Sequence, residues 1–387
     1  MILRNARVIL PDGIRDDVDI VVRHGRIAEV RPSRGQSGSE TVDLNANYVA
    51  PGFIDLHVHG AIGRDTMERS ADAFRAICDY HASGGTTSLL LTTATAPLAE
   101  ITETLSAIGK IQAELPQVLG AHVEGPFLSP ARPGAQRAEF ICAPDAASGV
   151  ALLQHAGVVK RVTIAPEISG ALDLMRDLVA AGIAVSGGHS DAWDEEARAG
   201  FAAGMRHVTH TFNCMSSMRR RGRERVAGLL EVALSEPEIT CELIADGHHV
   251  SSTLMKLLYR AKGAAGICLV TDATAGAGLP EGAAFELAGR KCVAENGVCL
   301  LEDRSALAGS AARMIDLVRM IVQTVGAPLH EAIQMASANP AKTLGLAAKG
   351  RIAEGADADL VMISPKLEIV ETFLGGRRVF PRVKEGS

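Results

Sequence analysis

The sequence predicts an α/β protein: a closed (β/α)8 TIM-like barrel with a small β-sandwich domain formed by the N- and C-terminal segments. Three observations carry that prediction. Between residues 53 and 274, eight strand-like apolar runs alternate with helix-like stretches, the pattern of parallel strands joined by helical crossovers. The first fifty residues instead hold short alternating runs, DVDIVV, GRIAEV and TVDLNANYVAP, separated by Gly, Pro and Ser. The tail, GRIAEGADADLVMI followed by EIVETFLGGRRVF, returns to short strands that can pair with the first ones only if the chain ends meet beside the barrel. The expected division is a discontinuous small domain, 1–50 with 350–387, and a barrel domain, 51–349.

The eight expected barrel strands are FIDLHVH (53–59), TTSLLLTT (86–93), VLGAHVEGPF (118–127), KRVTIAPE (160–167), IAVSGGHS (183–190), HVTHTFN (207–213), TCELIADGHHV (240–250) and GICLVTDAT (266–274). Eight parallel strands suggest closure. Between them, SADAFRAICDYHAS (70–83) and PLAEITETLSAIGKIQAEL (97–115) have helical apolar spacing, and Pro97 and Pro116 punctuate the second. After strand eight, ELAGRKCVAENGVCLL suggests a small hairpin, followed by helices within 310–345.

Composition narrows the function classes. A chain of 387 residues, 47% hydrophobic and 22% charged, is ordinary globular material. The start, MILRNARVIL, carries Arg4 and Arg7 and lacks the sustained apolar core of a signal peptide. No run approaches the roughly 18 uncharged apolar residues of a membrane span. Seven cysteines without a CxxC pair argue against a disulfide framework or zinc ribbon, and a cytoplasmic location is expected. A net charge of −6 excludes a general basic surface for nucleic acid. RRRGRER, from Arg219 to Arg225, is a local exception, readable as a solvated loop or as an anion clamp.

Chemistry-bearing residues gather at the C-terminal ends of the expected strands, which is the catalytic face of such barrels. Strand one ends His57-Val58-His59, and residues two apart share a face, so both imidazoles can converge on one ion. Strand three carries Glu124, strand five His189, strand six His210 and strand eight Asp272. Each histidine alone is a weak signal; their repetition at equivalent strand ends is the strong one. Nitrogen and carboxylate ligands without thiolates suit one or two divalent ions, Zn²⁺ first, with Fe²⁺, Mn²⁺ or Co²⁺ as alternatives. Metal-assisted hydrolysis also needs a group that moves a proton from water to the leaving atom, and Asp272 fits that role. A further metal ligand or a helix N-cap are its alternative readings. His207, three residues before His210, faces the other way, and His24, His81, His155 and His330 lie away from the rim.

These residues resemble the N-acetylglucosamine-6-phosphate deacetylases of the amidohydrolase superfamily, nearly end to end. PGFIDLHVHG (51–60), HVEGPF (122–127), GGHS (187–190), VTHTFNCM (208–215), ADGHHV (245–250), LVTDAT (269–274), LAGS (307–310) and NPAKTLGL (339–346) carry the likeness, and GRIAEGADADLV (350–361) resembles the superfamily's closing strand. The resemblance implies a barrel with a β-sandwich, a homodimer, and hydrolysis of the acetamide of N-acetylglucosamine 6-phosphate to glucosamine 6-phosphate and acetate. Another N-acylated amino sugar or acidic amide is the alternative substrate. By resemblance, Glu124, His189 and His210 hold the principal metal, and His57 and His59 match a second site that some members fill. The family's catalytic aspartate falls on Asp272, and the histidine that orients or polarises the carbonyl falls on His249. The resemblance also implies that backbone at Asn213 and Cys214 meets the phosphate, joined by Arg223 from the neighbouring subunit. Backbone at Leu307, Ala308 and Gly309 is a further expected substrate contact.

The sequence departs from the family pattern after EGPF. A KGAH-like stretch, whose histidine touches the substrate, is replaced by RPGAQ, with Gln136 in the histidine's place. Glutamine keeps hydrogen bonding but cannot become cationic. Thr211 and Cys214 replace the more usual leucine and alanine, and the 216–225 loop is unusually rich in arginine.

Overall fold

The computed structural model describes residues 1–33, 41–44 and 47–381; positions 34–40, 45–46 and 382–387, part of the expected small-domain segments and of the run TVDLNANYVAP, lie outside the described residues. Barrel strands one to eight are Phe53–Val58, Thr86–Thr93, Val118–Glu124, Val159–Ile164, Ala184–Gly187, His207–Val208, Thr240–Leu243 and Ile267–Leu269, parallel and in chain order around the sheet. The helical stretches appear as Ala71–Ala82, capped by Ser70, and Leu98–Ile111. No helix among the described residues is long and apolar enough to cross a membrane.

Closure is made by side chains as much as by ladder. Strands one and eight meet at one parallel bridge, Val58 with Ala273, where the Asp272 amide donates to the His57 carbonyl at 2.9 Å and the His59 amide to the Ala273 carbonyl at 2.8 Å. Below it, the Asp55 carboxylate accepts from the Thr271 hydroxyl at 2.6 Å and the Thr271 amide at 3.2 Å. Burial pushes the Asp55 carboxyl up to about 6, against those hydrogen bonds. The seam therefore lies beside His57, His59 and Asp272.

Both chain ends build one mixed sheet. Tyr48–Pro51 pairs parallel with Ile2–Leu10 on one side and antiparallel with Leu360–Ile363 on the other, so the C-terminal strands extend the N-terminal sheet. This sheet has its own apolar core, including Leu3, Ile20, Leu360 and Phe373.

Two local expectations need correction. Several barrel strands are shorter than their apolar runs: strands five, six and eight stop at Gly187, Val208 and Leu269. The backbone then enters the left-handed region at His189 (φ +48°), His210 (φ +30°) and Asp272 (φ +50°), which no ladder accommodates and which non-glycine residues rarely adopt. The expected hairpin after strand eight is a four-stranded antiparallel sheet, Ala284–Leu287, Arg290–Glu295, Val298–Leu301 and Leu307–Ser310. Its last strand docks on the segment that follows strand eight, the Ser310 amide donating to the Asp272 carbonyl at 2.8 Å.

The barrel interior beneath the rim is polar and cross-linked. Arg161 on strand four, fully buried, pairs with buried Glu242 on strand seven and donates to the Ser186 hydroxyl at 2.7 Å. Ser186, Thr209 and Thr163 continue the chain of hydrogen bonds at 2.7 and 2.8 Å, and Thr163 meets His122 Nε2 at 2.8 Å. Removing one partner of a buried ion pair strands the other charge in a low dielectric. Arg161→Met or Glu242→Gln is therefore expected to lower the unfolding free energy by about 3–5 kcal/mol in chemical denaturation. A loss below about 1 kcal/mol, the value of an exposed pair, would contradict this account of the interior.

Candidate metal centre and its cavity

The residues at the centre come from the ends of five strands, His57 and His59 sharing strand one, which is how a barrel concentrates polar groups that are remote in sequence. Glu124 ends strand three; its carboxylate is 2% exposed and splits its two oxygens between two pairs of imidazoles. Oε1 lies 3.2 Å from His189 Nε2 and 3.1 Å from His210 Nε2, and those nitrogens are 3.0 Å apart. Oε2 lies 3.1 Å from His59 Nε2 and 3.5 Å from His57 Nε2, themselves 3.2 Å apart. Asp272 Oδ1 closes the second group at 3.3 Å from His57 Nε2 and 3.4 Å from His59 Nε2.

These donor sets fit a cation. Facing imidazole nitrogens at 3.0–3.2 Å can share a single proton, whereas an ion between them serves both lone pairs and the carboxylate. Ligands about 2.0–2.1 Å from a tetrahedral ion sit about 3.3–3.4 Å from one another, close to the separations in both groups. The remaining ring nitrogens set the tautomer. His189 Nδ1 lies 2.9 Å from the Arg132 carbonyl, so Nδ1 carries the hydrogen and Nε2 keeps its lone pair; His57 Nδ1 faces Glu242 Oε2 at 3.5 Å. Glu242 Oε2 also accepts from the His210 amide at 3.1 Å, tying the interior network to both groups.

Electrostatics keep the carboxylates ionised. Burial alone would push Glu124 up, but the His57 charge and the close Nε2 contacts of His189 and His210 hold it well below the usual carboxylate range. Burial likewise opposes ionisation of Asp272, yet the His57 charge and the His59 hydrogen bond bring it down to about 2. His249 is pulled down by burial and raised, on balance, by its 2.7 Å hydrogen bond from Nδ1 to Asp246. That bond leaves Nε2 available to the cavity.

The cavity opens above the metal groups and is lined by His59, Asp272, His249, Asn213, Cys214 and Gln136, among others. Leu307 and Gly309 reach it from the inserted sheet, whereas Ala308 is buried with its carbonyl accepting from the Thr274 hydroxyl at 3.0 Å. The loop after strand three lies close over His189 because Gly134 has no side chain; a Cβ there would sit 2.5 Å from Cys214 Sγ and 3.3 Å from His189 Cε1. His248 is exposed.

Arg223 does not line this cavity. The arginine-rich segment is an antiparallel hairpin, Arg219–Arg221 with Glu224–Val226. Arg219 and Arg221 lie over the Trp193 ring, 3.8 and 5.0 Å from its centre, and pair with Asp191 and Glu195. Arg220, Arg223 and Arg225 are exposed, with Arg223 beside the turn at Gly222.

Sequence reasoning missed three groups. His122 packs edge-on against His57 with ring centres 4.6 Å apart, and burial holds it well below the usual histidine value, hence neutral. Its spacing two before Glu124, the rule that selected His57 and His59, was the available signal. Arg161 and Glu242 gave none beyond being charged residues inside apolar strands.

A profile of the Amidohydrolase family matches residues 48–379. The N-acetylglucosamine-6-phosphate deacetylase of Lysinibacillus sphaericus is 33% identical over 382 residues, 97% of this chain and 97% of that protein. The N-acetylgalactosamine-6-phosphate deacetylase of Escherichia coli O157:H7 is 33% identical over 383 residues, 97% of this chain and 98% of that one. The crystal structure of the N-acetylglucosamine-6-phosphate deacetylase from Pasteurella multocida superposes with a TM-score of 0.92 at 30% identity, covering 97% of this chain and 98% of the other.

An ion that binds the folded chain and not the unfolded one stabilises it by mass action, about 2.7 kcal/mol at a hundredfold excess over Kd. Chelation is expected to lower the melting temperature, and Zn²⁺ to restore it. In His189→Ala the restoration should be largely lost, and a wild-type melting curve indifferent to chelator would contradict the fit.

Proposed function

This chain belongs to the amidohydrolase family and, within it, to the N-acetylglucosamine-6-phosphate deacetylases; from that premise we propose that it hydrolyses the acetamide of N-acetylglucosamine 6-phosphate to glucosamine 6-phosphate and acetate. The observation that carries the reading is the convergence of Glu124, four imidazoles, Asp272 and His249 around one cavity at the barrel rim.

Glu124, His189 and His210 would hold the principal ion, with His57 and His59 beside Glu124 Oε2 for a second; Zn²⁺ is the first choice and Fe²⁺, Mn²⁺ or Co²⁺ the alternatives. The cation supplies Lewis acidity, polarising the carbonyl and making water acidic near neutral pH. Asp272 enters the reaction ionised and takes the proton of the attacking water. It then delivers that proton to the amide nitrogen as the C–N bond breaks and the amine leaves. His249, held as an imidazolium by the hydrogen bond and charge of Asp246 at Nδ1, donates from Nε2 to the carbonyl oxygen as negative charge develops there.

The rest of the substrate is held by Asn213, Cys214, Leu307 and Gly309 around the cavity, whereas Gln136 lines it with its amide engaged by Thr95 and Glu124. Ala308 contributes through the strand that carries its neighbours. Arg223 is exposed and lies outside the cavity of its own chain, so in the proposed homodimer it is the residue that would reach the partner's phosphate. Arg219 and Arg221 brace that hairpin instead of binding substrate. A cytoplasmic location is proposed to match an intracellular sugar phosphate.

The direct test is acetate release from N-acetylglucosamine 6-phosphate, its unphosphorylated parent and the galactosamine epimer, after reconstitution with each metal. Turnover of the first compound well above the others is expected. A preference for the epimer would transfer the assignment to that sugar, and no turnover with metal bound would overturn the substrate. Asp272→Asn should keep its metal and lose about 10²–10⁴-fold in kcat, since an amide cannot accept the proton. Arg223→Ala should chiefly raise KM for phosphorylated substrates, and an unchanged KM would remove that residue from the phosphate site.

A further inference from the structure

We propose that Gln136 is a positioning residue of the metal centre: it fixes the plane of the Glu124 carboxylate so that each oxygen serves its own pair of imidazoles. This extends the proposed function, because it rests on Glu124 holding the cation.

The amide of Gln136 is gripped at both ends. Its Oε1 accepts from the Thr95 amide at 2.7 Å, and its Nε2 donates to Glu124 Oε2 at 2.6 Å. Reversing the amide would set an NH2 against the Thr95 N–H and a carbonyl oxygen against the carboxylate, so the two partners together determine its orientation. The bond to Glu124 is charge-assisted and correspondingly short. Its anchor, the Thr95 amide, belongs to buried backbone just beyond strand two, so the contact spans from strand two to strand three through one side chain.

Glu124 needs such an anchor. The terminal torsion of a glutamate is broad, so nothing intrinsic to the side chain separates its oxygens between His189 and His210 on one side and His57 and His59 on the other. Hydrogen bonds from imidazole cannot do it once those nitrogens bind metal, because each Nε2 then has its lone pair engaged and no proton to give. The Gln136 amide has no competing duty toward the ion and does not titrate, so its hold on Oε2 persists in the loaded centre. Where the family pattern has a histidine that touches substrate, this chain thus has a side chain bonded to a ligand of the metal.

The test measures metal binding rather than turnover. Metal-free protein is titrated with Zn²⁺ against a chelator of known affinity, and with Co²⁺ while its visible bands are recorded, for wild type, Gln136→Leu and Gln136→Met. Both substitutions remove the donor while keeping similar bulk. Metal affinity is expected to fall about 10–100-fold in both variants, the usual cost of losing a partner of a metal ligand. The Co²⁺ bands should shift; any fall in the melting temperature of the metal-free protein reports the buried Thr95 amide left without its acceptor and is read separately from metal affinity. Unchanged affinity and an unchanged Co²⁺ spectrum in both variants, against a tightly binding wild type, would overturn this proposal alone. Failure of wild type to bind either ion would overturn the metal-centre reading and this proposal with it.

Discussion

A carboxylate 2% exposed to solvent, with two imidazole nitrogens against each of its oxygens, is the constraint around which the rim of this barrel is arranged. Burying an uncompensated charge is prohibitive, and the two histidine pairs against Glu124 form donor sets that fit one or two divalent cations. The pairs come from strands one, five and six, and Glu124 reaches residues as many as 86 positions away in the chain. Asp272 adds a second carboxylate on the His57 and His59 side, where the first and last barrel strands close on each other.

Beneath that layer, the barrel gives up part of its apolar filling. A core of branched aliphatics would stabilise the fold without costing desolvation, yet the positions under the metal groups carry Arg161, Glu242, His122, Thr163, Ser186 and Thr209 in one connected network. Their connection upward is specific: Glu242 faces His57 Nδ1 and holds the His210 amide, so the polar layer orients ligands as well as satisfying itself. The left-handed backbone at His189, His210 and Asp272 lies at the same rim, where each of these side chains reaches the shared centre from beyond the end of its strand.

The architecture was readable because alternation of apolar strands with amphipathic helices is a local signal repeated eight times, and errors at single boundaries do not change the sum. The rim residues were readable through their position at strand ends and the two-residue spacing of His57 and His59. Strand lengths were overestimated where an apolar run continues past the ladder, as at HVTHTFN, because periodicity reports burial and not backbone dihedrals. The four-stranded insertion carries only a hairpin's signal in the sequence, because its short strands are each too brief to stand out. Arg161 and Glu242 were silent for a different reason: a buried ion pair is a relation between residues 81 positions apart, and neither carries a mark of its partner. Gln136 was noticed as a departure from a family pattern, but its bond to Glu124 depends on how the loop folds back over the rim.

Anomalous diffraction from crystals of the Zn²⁺-reconstituted protein tests the central claim most directly, by placing the ion relative to the two oxygens of one carboxylate. The account predicts a principal peak about 2.0–2.2 Å from Glu124 Oε1, His189 Nε2 and His210 Nε2, with any second peak between Oε2, His57 and His59. A principal peak away from Glu124, or both oxygens of Glu124 bound to a single ion with one histidine pair left over, would contradict it.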